Sequence, residues 1–327
     1  MRSISLVARL IATLLVCASL AAHAQTWPTR QIRFIVAAPA GSSLDVIVRS
    51  LSERLKDNLG QPIVIENRPA AGGTQATDAG AKSAADGYTL LMSFNGPLAF
   101  APFLYPKLPY DPIKDLAPVV ITTVQPNLLA VSADLPVSSV SDLVTWMKAR
   151  PGKLSYASVG NGSSSHLTME YLKLLTSTFA VHIPFNGAPP AVLSVSSGDT
   201  QALFTVPTVI MPQVKAGRMK ALAVTGKTRY ALLPEVPTVA ESGIKELEAF
   251  EASAWNGILV AAGTPRDIVM RLNAEINKAF ADPAIRQRLQ AGGLEPAGGT
   301  PEAFAKLMAD EAQKWAPIIK RTGARLD

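Results

Sequence analysis

The stretch IRFIVAAPAGSSLDVIVRSLSERLKDNLG, residues 32–60, contains a strand, a loop and a helix in that order. Its first five residues are mostly β-branched or aromatic, which predicts a strand. From Leu44 to Leu59, apolar residues recur every three or four positions, the spacing of one helix face. Gly60 ends this pattern, as glycine often does after a helix. The stretch therefore predicts one strand–helix unit of an α/β sheet.

The same alternation continues along the chain and restarts in its second half. Further strands are predicted at 62–66, 88–94, 154–158, 181–184, 202–206 and 220–225, and further helices at 74–85, 167–175 and 191–197. Strand–helix alternation predicts mainly parallel sheets with helices on their faces. A proline-dotted region, 102–126, and a second apolar stretch, 247–260, are expected to carry the chain between two halves. Residues 265–327 are predicted to be helices.

The N-terminus is typical of a cleaved signal peptide. Arg2 and Arg9 form a short basic region, and an apolar run from Leu10 to Leu20 is too short for a membrane span, which needs about 20 residues. Ala22-His23-Ala24 has the small residues of a cleavage site, so cleavage is expected after Ala24. We expect residues 1–24 to be removed and the mature protein to be periplasmic and not inserted in a membrane.

Length and composition limit what the mature chain can do. About 300 mature residues suggest two domains, with one lobe expected over 25–123 plus 254–327 and the other over 124–253. Without the two signal arginines, 29 basic residues face 25 acidic ones, a net charge of +4. No dense basic block is present, which argues against a nucleic-acid partner. The only cysteine, Cys17, lies in the signal, so no disulfide or cysteine metal ligand is expected.

Four glycine- and serine-rich loops lie where a predicted strand meets a predicted helix. In the first, Gly41 permits close backbone approach, Ser42 is a good helix cap, and Asp45 completes a capping box. A helix start of this kind can hold an anion or be a plain cap. The other loops are NRPAAGGTQAT (67–77), YASVGNGSSSHL (156–167) and IPFNGAPPA (183–191). Two loops from each half favour a small anion held in a cleft between them.

Catalytic and cofactor motifs are absent from the sequence. Only His166 and His182 follow the signal, in different predicted elements, so no metal site is expected. His166 is expected to bond at a helix start or to contact a ligand, and His182 to lie in the core. GNGSSSH does not have the spacing of the G-x-S-x-G elbow of a serine hydrolase. No G-x-G-x-x-G or Walker lysine follows a strand. We expect no cofactor and no enzymatic activity.

Six segments in order along the chain carry a resemblance to a known family. They are WPTRQIRFIVAAPAGSSLDVIVRSL, GQPIVIENRPAAGG, DGYTLLM, LYPKLPYDPIKDLAPV, PGKLSYASVGNGSSSHL and EVPTVAESG. Together they resemble the substrate-binding receptors of tripartite tricarboxylate transporters, also called the Bug family. The resemblance implies a two-lobed Venus-flytrap fold of periplasmic binding proteins with the ligand between the lobes. It also implies carboxylate ligands and delivery to a permease of one large and one small membrane subunit.

The resemblance also implies a set of ligand contacts. Carried over by motif, these are Gly41, Ser42, Ser43, Asp45, Ala71, Gly72, Gly73, Ser158, Gly160, Asn161, Gly162, Ser163, Ser164, Ser165, His166, Phe185, Asn186, Gly187 and Thr205. Many relatives have aspartate where this chain has Thr205, tyrosine where it has Phe185, and a glycine run where it has Ser42-Ser43-Leu44. Without that aspartate an ammonium group lacks a partner, so a carboxylate without a free amino group, aromatic or dicarboxylic, is predicted.

Two other functions remain open at this point. A receptor of the same fold can serve a membrane sensor kinase instead of a permease. An enzyme of the same fold class would need a clustered acid–base pair in the cleft, and the sequence offers none. The lobes of the receptor are expected to close on the ligand by hinging near residues 122–124 and 253–256, and Trp255 lies at the second crossing.

Overall fold

A computed structural model of the protein describes residues 27–326. The predicted signal peptide, its cleavage site after Ala24 and Cys17 lie outside the described residues. Within residues 27–326, no helix is both long and apolar enough to cross a membrane.

The first sheet has five strands in the order β2-β1-β3-β10-β4. They are β1 (Ile32–Val36), β2 (Ile63–Asn67), β3 (Thr89–Phe94), β4 (Leu116–Pro126) and β10 (Ser253–Ala261). β1 runs parallel to β2 and β3, whereas β10 runs antiparallel to β3 and β4. We call this sheet and the helices on it lobe 1.

The second sheet repeats this arrangement in the order β7-β6-β8-β5-β9. Its strands are β5 (Leu128–Ser132), β6 (Ser155–Ser158), β7 (Val181–Pro184), β8 (Ala202–Thr205) and β9 (Met219–Val224). β6 runs parallel to β7 and β8, and β5 runs antiparallel to β8 and β9. We call this sheet and its helices lobe 2.

The predicted two-lobed α/β fold with mainly parallel sheets is therefore confirmed, although each sheet is mixed, because one of its five strands, β10 or β5, runs against the other four. Each sheet contains an antiparallel strand because of how the chain passes from one lobe to the other. β4 ends at Pro126 and β5 begins at Leu128, so Asn127 alone separates a strand of one sheet from a strand of the other. β5 and the returning strand β10 each enter their sheet against the direction of the parallel strands. The exact lobe boundaries remain a prediction.

Ten α-helices lie in the part of the chain that the structure describes. They are α1 (Ser43–Leu59), α2 (Thr74–Ala81), α3 (Ala101–Leu104), α4 (Val140–Ala149), α5 (Ser164–Thr176), α6 (Ala188–Ser197), α7 (Pro207–Lys215), α8 (Arg266–Ala281), α9 (Pro283–Ala291) and α10 (Pro301–Thr322). α1 buries the apolar face that the sequence predicts and ends at Gly60, whose φ is +68°. Several of these helices follow a strand of their own sheet, as α1 follows β1 and α5 follows β6, which brings their starts to the cleft.

The C-terminal helix α10 packs against both lobes. Its Trp315 is fully buried, with its ring 4.9 Å from that of Phe100 in lobe 1 and 5.9 Å from that of Tyr171 in lobe 2. One turn earlier in the same helix, the Glu311 carboxylate accepts a hydrogen bond from Trp255 Nε1 at 3.2 Å. α10 thus holds the strand β10 that carries the chain back from lobe 2 to lobe 1.

Candidate ligand-binding site

A cavity lies between the two lobes, at the strand ends and helix starts of both sheets. The volume of this cavity is about 80 Å³. Its walls are formed by Ala37, Ala38, Pro39, Ser42, Ser43, Leu44, Pro69, Gly72, Gly73, Phe94, Asn95, Asn127, Val159, Ser164, Ser165, Gly187, Ala188, Thr205, Val206, Ala254, Trp255 and Asn256.

None of these described lining residues has an ionisable side chain. The polar side chains on the walls are hydroxyls and amides, and the apolar ones include Phe94 and Trp255. Charge at the cavity therefore comes mainly from the backbone. The starts of α1, α5 and α6 all lie on its walls, and a helix start carries a partial positive charge.

The helix start in lobe 1 is capped so that its first N–H groups stay free. Ser42 is the cap, and its Oγ accepts a hydrogen bond from the Asp45 N–H at 3.3 Å. The Asp45 carboxylate in turn accepts a hydrogen bond from the Gly41 N–H at 3.0 Å. The N–H groups of Ser43 and Leu44 have no partner within a helix of this geometry, and both residues line the cavity.

The helix start in lobe 2 repeats this geometry with different residues. Ser163 caps α5, and its Oγ accepts a hydrogen bond from the His166 N–H at 3.3 Å. The Gly162 N–H donates to His166 Nδ1 at 3.2 Å, as Gly41 donates to Asp45 in lobe 1. The N–H groups of Ser164 and Ser165 are thereby left facing the cavity. Each lobe therefore presents two free backbone donors at a helix start, which suits an anion.

The carboxylate of Asp45 is occupied within its own lobe. It accepts hydrogen bonds from Gly41, from Arg49 at 2.9 Å and from Asn67 at 3.0 Å. Burial alone would raise the pKa of Asp45, but the hydrogen bonds from Arg49, Gly41 and Asn67 outweigh it, so the pKa lies below its ordinary value. Asp45 is therefore ionised, its negative charge is balanced by Arg49 without any ligand, and it does not line the cavity.

His166 and His182 stack on each other behind the lobe 2 loop. Their rings are parallel with centroids 4.0 Å apart, and Ser158 Oγ lies 2.6 Å from His182 Nε2. Burial, with a smaller contribution from the Lys173 cation, lowers the pKa of His166 to about 4. Burial and the neighbouring His166 lower the pKa of His182 to about 3. Both rings are therefore neutral at pH 7 and pack behind the loop.

Three of the loop glycines meet the opposite lobe. A β-carbon on Gly72 would lie 2.2 Å from the backbone oxygen of Asn161, and one on Gly160 would lie 3.1 Å from Gly72 Cα. A β-carbon on Gly187 would lie 2.4 Å from the Pro39 ring. Glycine is thus required where the lobes touch, as well as where backbone faces the cavity.

Two hydroxyl groups of lobe 2, those of Ser164 and Thr205, are free to donate a hydrogen bond at the cavity. Ser164 Oγ accepts a hydrogen bond from Asn127 Nδ2 at 2.8 Å, so its own proton remains available to a ligand. Ser165 differs because its hydroxyl donates to the Phe204 carbonyl. Thr205 is 4% exposed, and its hydroxyl has no hydrogen-bond partner among the described residues.

The structure separates the predicted contacts into two groups. Those that line the cavity are Ser42, Ser43, Gly72, Gly73, Ser164, Ser165, Gly187 and Thr205. Those that lie behind the walls or at the meeting of the lobes are Gly41, Asp45, Ala71, Ser158, Gly160, Asn161, Gly162, Ser163, His166, Phe185 and Asn186. The large apolar side chains on the walls are Phe94 and Trp255, whereas Phe185 packs against the lobe 2 core. Ligand contact by any of these residues remains a prediction.

Three asparagines on the walls were not predicted from the sequence. Asn95 directly follows β3, Asn127 lies between β4 and β5, and Asn256 lies in β10. The first of these has a sequence signal, because a polar residue at the end of a predicted strand faces the same edge as the glycine loops. The other two have none, since they depend on how the chain crosses between the lobes.

Comparison with known proteins identifies relatives along nearly the whole chain. Residues 47–324 match the family described as tripartite tricarboxylate transporter family receptor, TctC. The protein BugT of Bordetella pertussis is 39% identical over 304 residues, which cover 93% of this chain and 92% of BugT.

Solved structures are also similar to nearly the whole chain. The R. palustris protein Rpa4515, solved with adipate, superimposes with a TM-score of 0.86 at 32% identity and covers 91% of this chain and 98% of its own. MatC from Rhodopseudomonas palustris, solved with bound malate, has a TM-score of 0.84 at 30% identity and covers 90% of this chain and 100% of its own.

Proposed function

Because the chain belongs to the tripartite tricarboxylate transporter receptor family, we propose that it is a periplasmic receptor that delivers a small carboxylate to a membrane permease of that class. Members of this family are solute-binding receptors with a periplasmic-binding-protein fold. The ligand is held in the cleft between the lobes, and the protein carries out no chemistry on it.

One observation carries this proposal. Two helix starts, one from each lobe, have matching caps and place four free N–H groups at one cavity, on Ser43, Leu44, Ser164 and Ser165. Backbone donors at helix starts bind carboxylates without needing a cationic side chain. Because the donors come from both lobes, a bound anion bridges them and favours the closed arrangement.

The ligand class follows from what the walls lack. No carboxylate is among the described lining residues, so an ammonium group would be buried without a charged partner. Phe94 and Trp255 offer apolar surface to the carbon skeleton. We therefore favour a carboxylate without a free amino group, aromatic or dicarboxylic. The relatives solved with adipate and with malate support a carboxylate ligand.

A thermal-shift panel with matched esters tests the binding proposal. Adipate, malate and benzoate are compared with their methyl esters, which keep the carbon skeleton and lose the negative charge. At least one acid should raise the melting temperature while its ester does not. If every acid is inert, or if the esters stabilise equally, the cleft does not bind carboxylates.

Delivery requires a separate measurement. Membrane vesicles that contain the large and small permease subunits should take up a labelled ligand only when the purified receptor is added. The receptor for a sensor kinase, the alternative function, would bind the same ligand and leave uptake unchanged.

A further inference from the structure

Asn95 and Asn256 are two buried amides on the cavity wall, and each is held at one end by hydrogen bonds to the protein. Asn95 is 1% exposed and Asn256 is 4% exposed, and both line the cavity. They are close along the sheet, because Asn256 in β10 pairs with Phe94, the last residue of β3, and Asn95 directly follows it. The carboxylate proposal uses neither of them.

The orientation of Asn95 leaves an acceptor. Its Nδ2 donates to the backbone carbonyl of Ser253 at 3.0 Å. A carbonyl only accepts, so this bond decides which end of the amide carries the nitrogen. Asn95 Oδ1 has no hydrogen-bond partner among the described residues and is therefore available to accept.

The orientation of Asn256 leaves a donor. Its Oδ1 accepts hydrogen bonds from two threonine hydroxyls, those of Thr122 and of Thr123, the latter at 3.0 Å. Asn256 Nδ2 has no acceptor within residues 27–326 and is available to donate. One free acceptor, directly after β3, and one free donor, in the neighbouring strand β10, thus line the same cavity.

We propose that Asn95 and Asn256 select a ligand that carries a hydroxyl group in addition to its carboxylate. A hydroxyl can donate its proton to Asn95 Oδ1 and accept from Asn256 Nδ2. A second carboxylate at this place would only accept, and would face the Asn95 oxygen without a proton between them. An ammonium would only donate, and the described walls give it no carboxylate. The proposal rests on the cleft being a carboxylate site.

The preference for a hydroxylated ligand should be strong, because a buried amide left without a hydrogen-bond partner costs free energy. A site built to bond a hydroxyl discriminates against an analogue that lacks it, since the polar groups of the site are then left unpaired. Filling the same space with a methyl group therefore does not restore the affinity.

Two ligand sets that differ in a single group test the proposal by calorimetry. The first set is malate, succinate and methylsuccinate, and the second is 4-hydroxybenzoate, benzoate and 4-methylbenzoate. In at least one set the hydroxylated acid should bind about tenfold or more tightly than both analogues. The methyl analogue is the control, because it has nearly the size of the hydroxylated acid and no donor.

Variants separate selection from folding. Asn95→Ala and Asn256→Ala should each bring the ratio of affinities, hydroxylated acid over methyl analogue, close to one. A purely structural role would lower both affinities and leave the ratio unchanged. Asn58→Ala, in α1 away from the cavity, should leave the ratio as in the wild type. If one of the cavity variants does not fold, the other still gives the ratio.

The outcomes also distinguish this proposal from the one on which it rests. If the methyl or unsubstituted acids bind as tightly as the hydroxylated ones, the selection by Asn95 and Asn256 is refuted and carboxylate binding stands. If no acid of either set binds and the wider panel is inert as well, both proposals fail.

Discussion

Gly72 of lobe 1 lies against Asn161 of lobe 2 so closely that a β-carbon at position 72 would be 2.2 Å from the Asn161 carbonyl oxygen. Backbone on both sides leaves nothing flexible to move aside. We expect Gly72→Ala to keep the lobes apart and to weaken carboxylate binding at least tenfold. Small-angle scattering with saturating ligand should show a larger radius of gyration for the variant than for the wild type.

Gly60→Ala is the matched control for backbone strain. Gly60 and Gly72 both have positive φ, +68° and +60°, but nothing lies within 4 Å of a β-carbon on Gly60. Both variants should lose about 1–2 kcal/mol of stability, because a side chain disfavours this conformation. Only Gly72→Ala should lose affinity. Equal affinities in the two variants would show that the Gly72 contact does not limit closure.

Ser164→Ala tests the donor that lobe 2 offers the ligand. The hydroxyl accepts from Asn127 and so directs its own proton to the cavity, and a hydrogen bond to a charged group is worth about 1.5–3 kcal/mol. Affinity for a carboxylate should therefore fall roughly tenfold or more. Thr168→Val is the control, since Thr168 also accepts from Asn127, at 3.3 Å, but does not line the cavity. An equal loss in both variants would mean that only the position of Asn127 matters.

Local sequence signals predicted the elements whose hydrophobic pattern is complete. The strand at 32–36 and the helix that ends at Gly60 are where the pattern puts them, and β7 has the predicted bounds. The helix predicted at 74–85 ends at Ala81, because Ser83 and Gly87 already belong to the turn before β3. Strand β4 was missed since its prolines, Pro118 and Pro126, indicate a loop, although proline is tolerated in an edge strand such as β4.

The site was predictable where it depends on strand–helix junctions and not where it depends on the crossing of the lobes. Ser42 and Ser164 follow predicted strands, so their place at the cleft could be expected. Asn127 and Asn256 lie in the segments that connect the lobes, and nothing in their neighbours indicates a cavity. Glycine loops also have two roles that look alike in sequence. Gly73 lines the cavity, whereas Gly160 mainly allows the other lobe to approach.

Because the pKa values of His166 and His182 are lowered in the folded protein, we expect the protein to be less stable in acid. His182 has a pKa of about 3 in the folded protein against 6.5 ordinarily, so below pH 6.5 the unfolded chain binds a proton that the folded chain does not. The free energy of unfolding should therefore fall as the pH drops from 6.5 toward 3, by up to about 1.4 kcal/mol per pH unit for each such histidine. His166, with a pKa of about 4, acts in the same direction.

Urea unfolding between pH 7.5 and 4.5 measures this effect. His182→Phe keeps an aromatic ring in the stack with Tyr156 and His166 and removes one titrating group. Its stability should fall less steeply with decreasing pH than that of the wild type. Lowered carboxyl pKa values, such as that of Glu241, contribute equally to both proteins and cancel in the comparison. Parallel curves would contradict the assignment.

Thr205→Asp should change the class of ligand. Thr205 ends β8 on the cavity wall, and its hydroxyl is not held by any described residue. An aspartate here would add the one carboxylate that the described walls lack, giving an ammonium group a charged partner and repelling a simple carboxylate. The variant should gain binding of aspartate or glutamate and lose about tenfold or more in affinity for acids without an amino group. Thr205→Asn, which is polar and uncharged, should show no such gain. Thermal shifts at pH 7.5 measure binding of both kinds of ligand to the variants and to the wild type. The proposed ligand class is refuted if glutamate or aspartate stabilises the wild type while aromatic and dicarboxylic acids without an amino group do not.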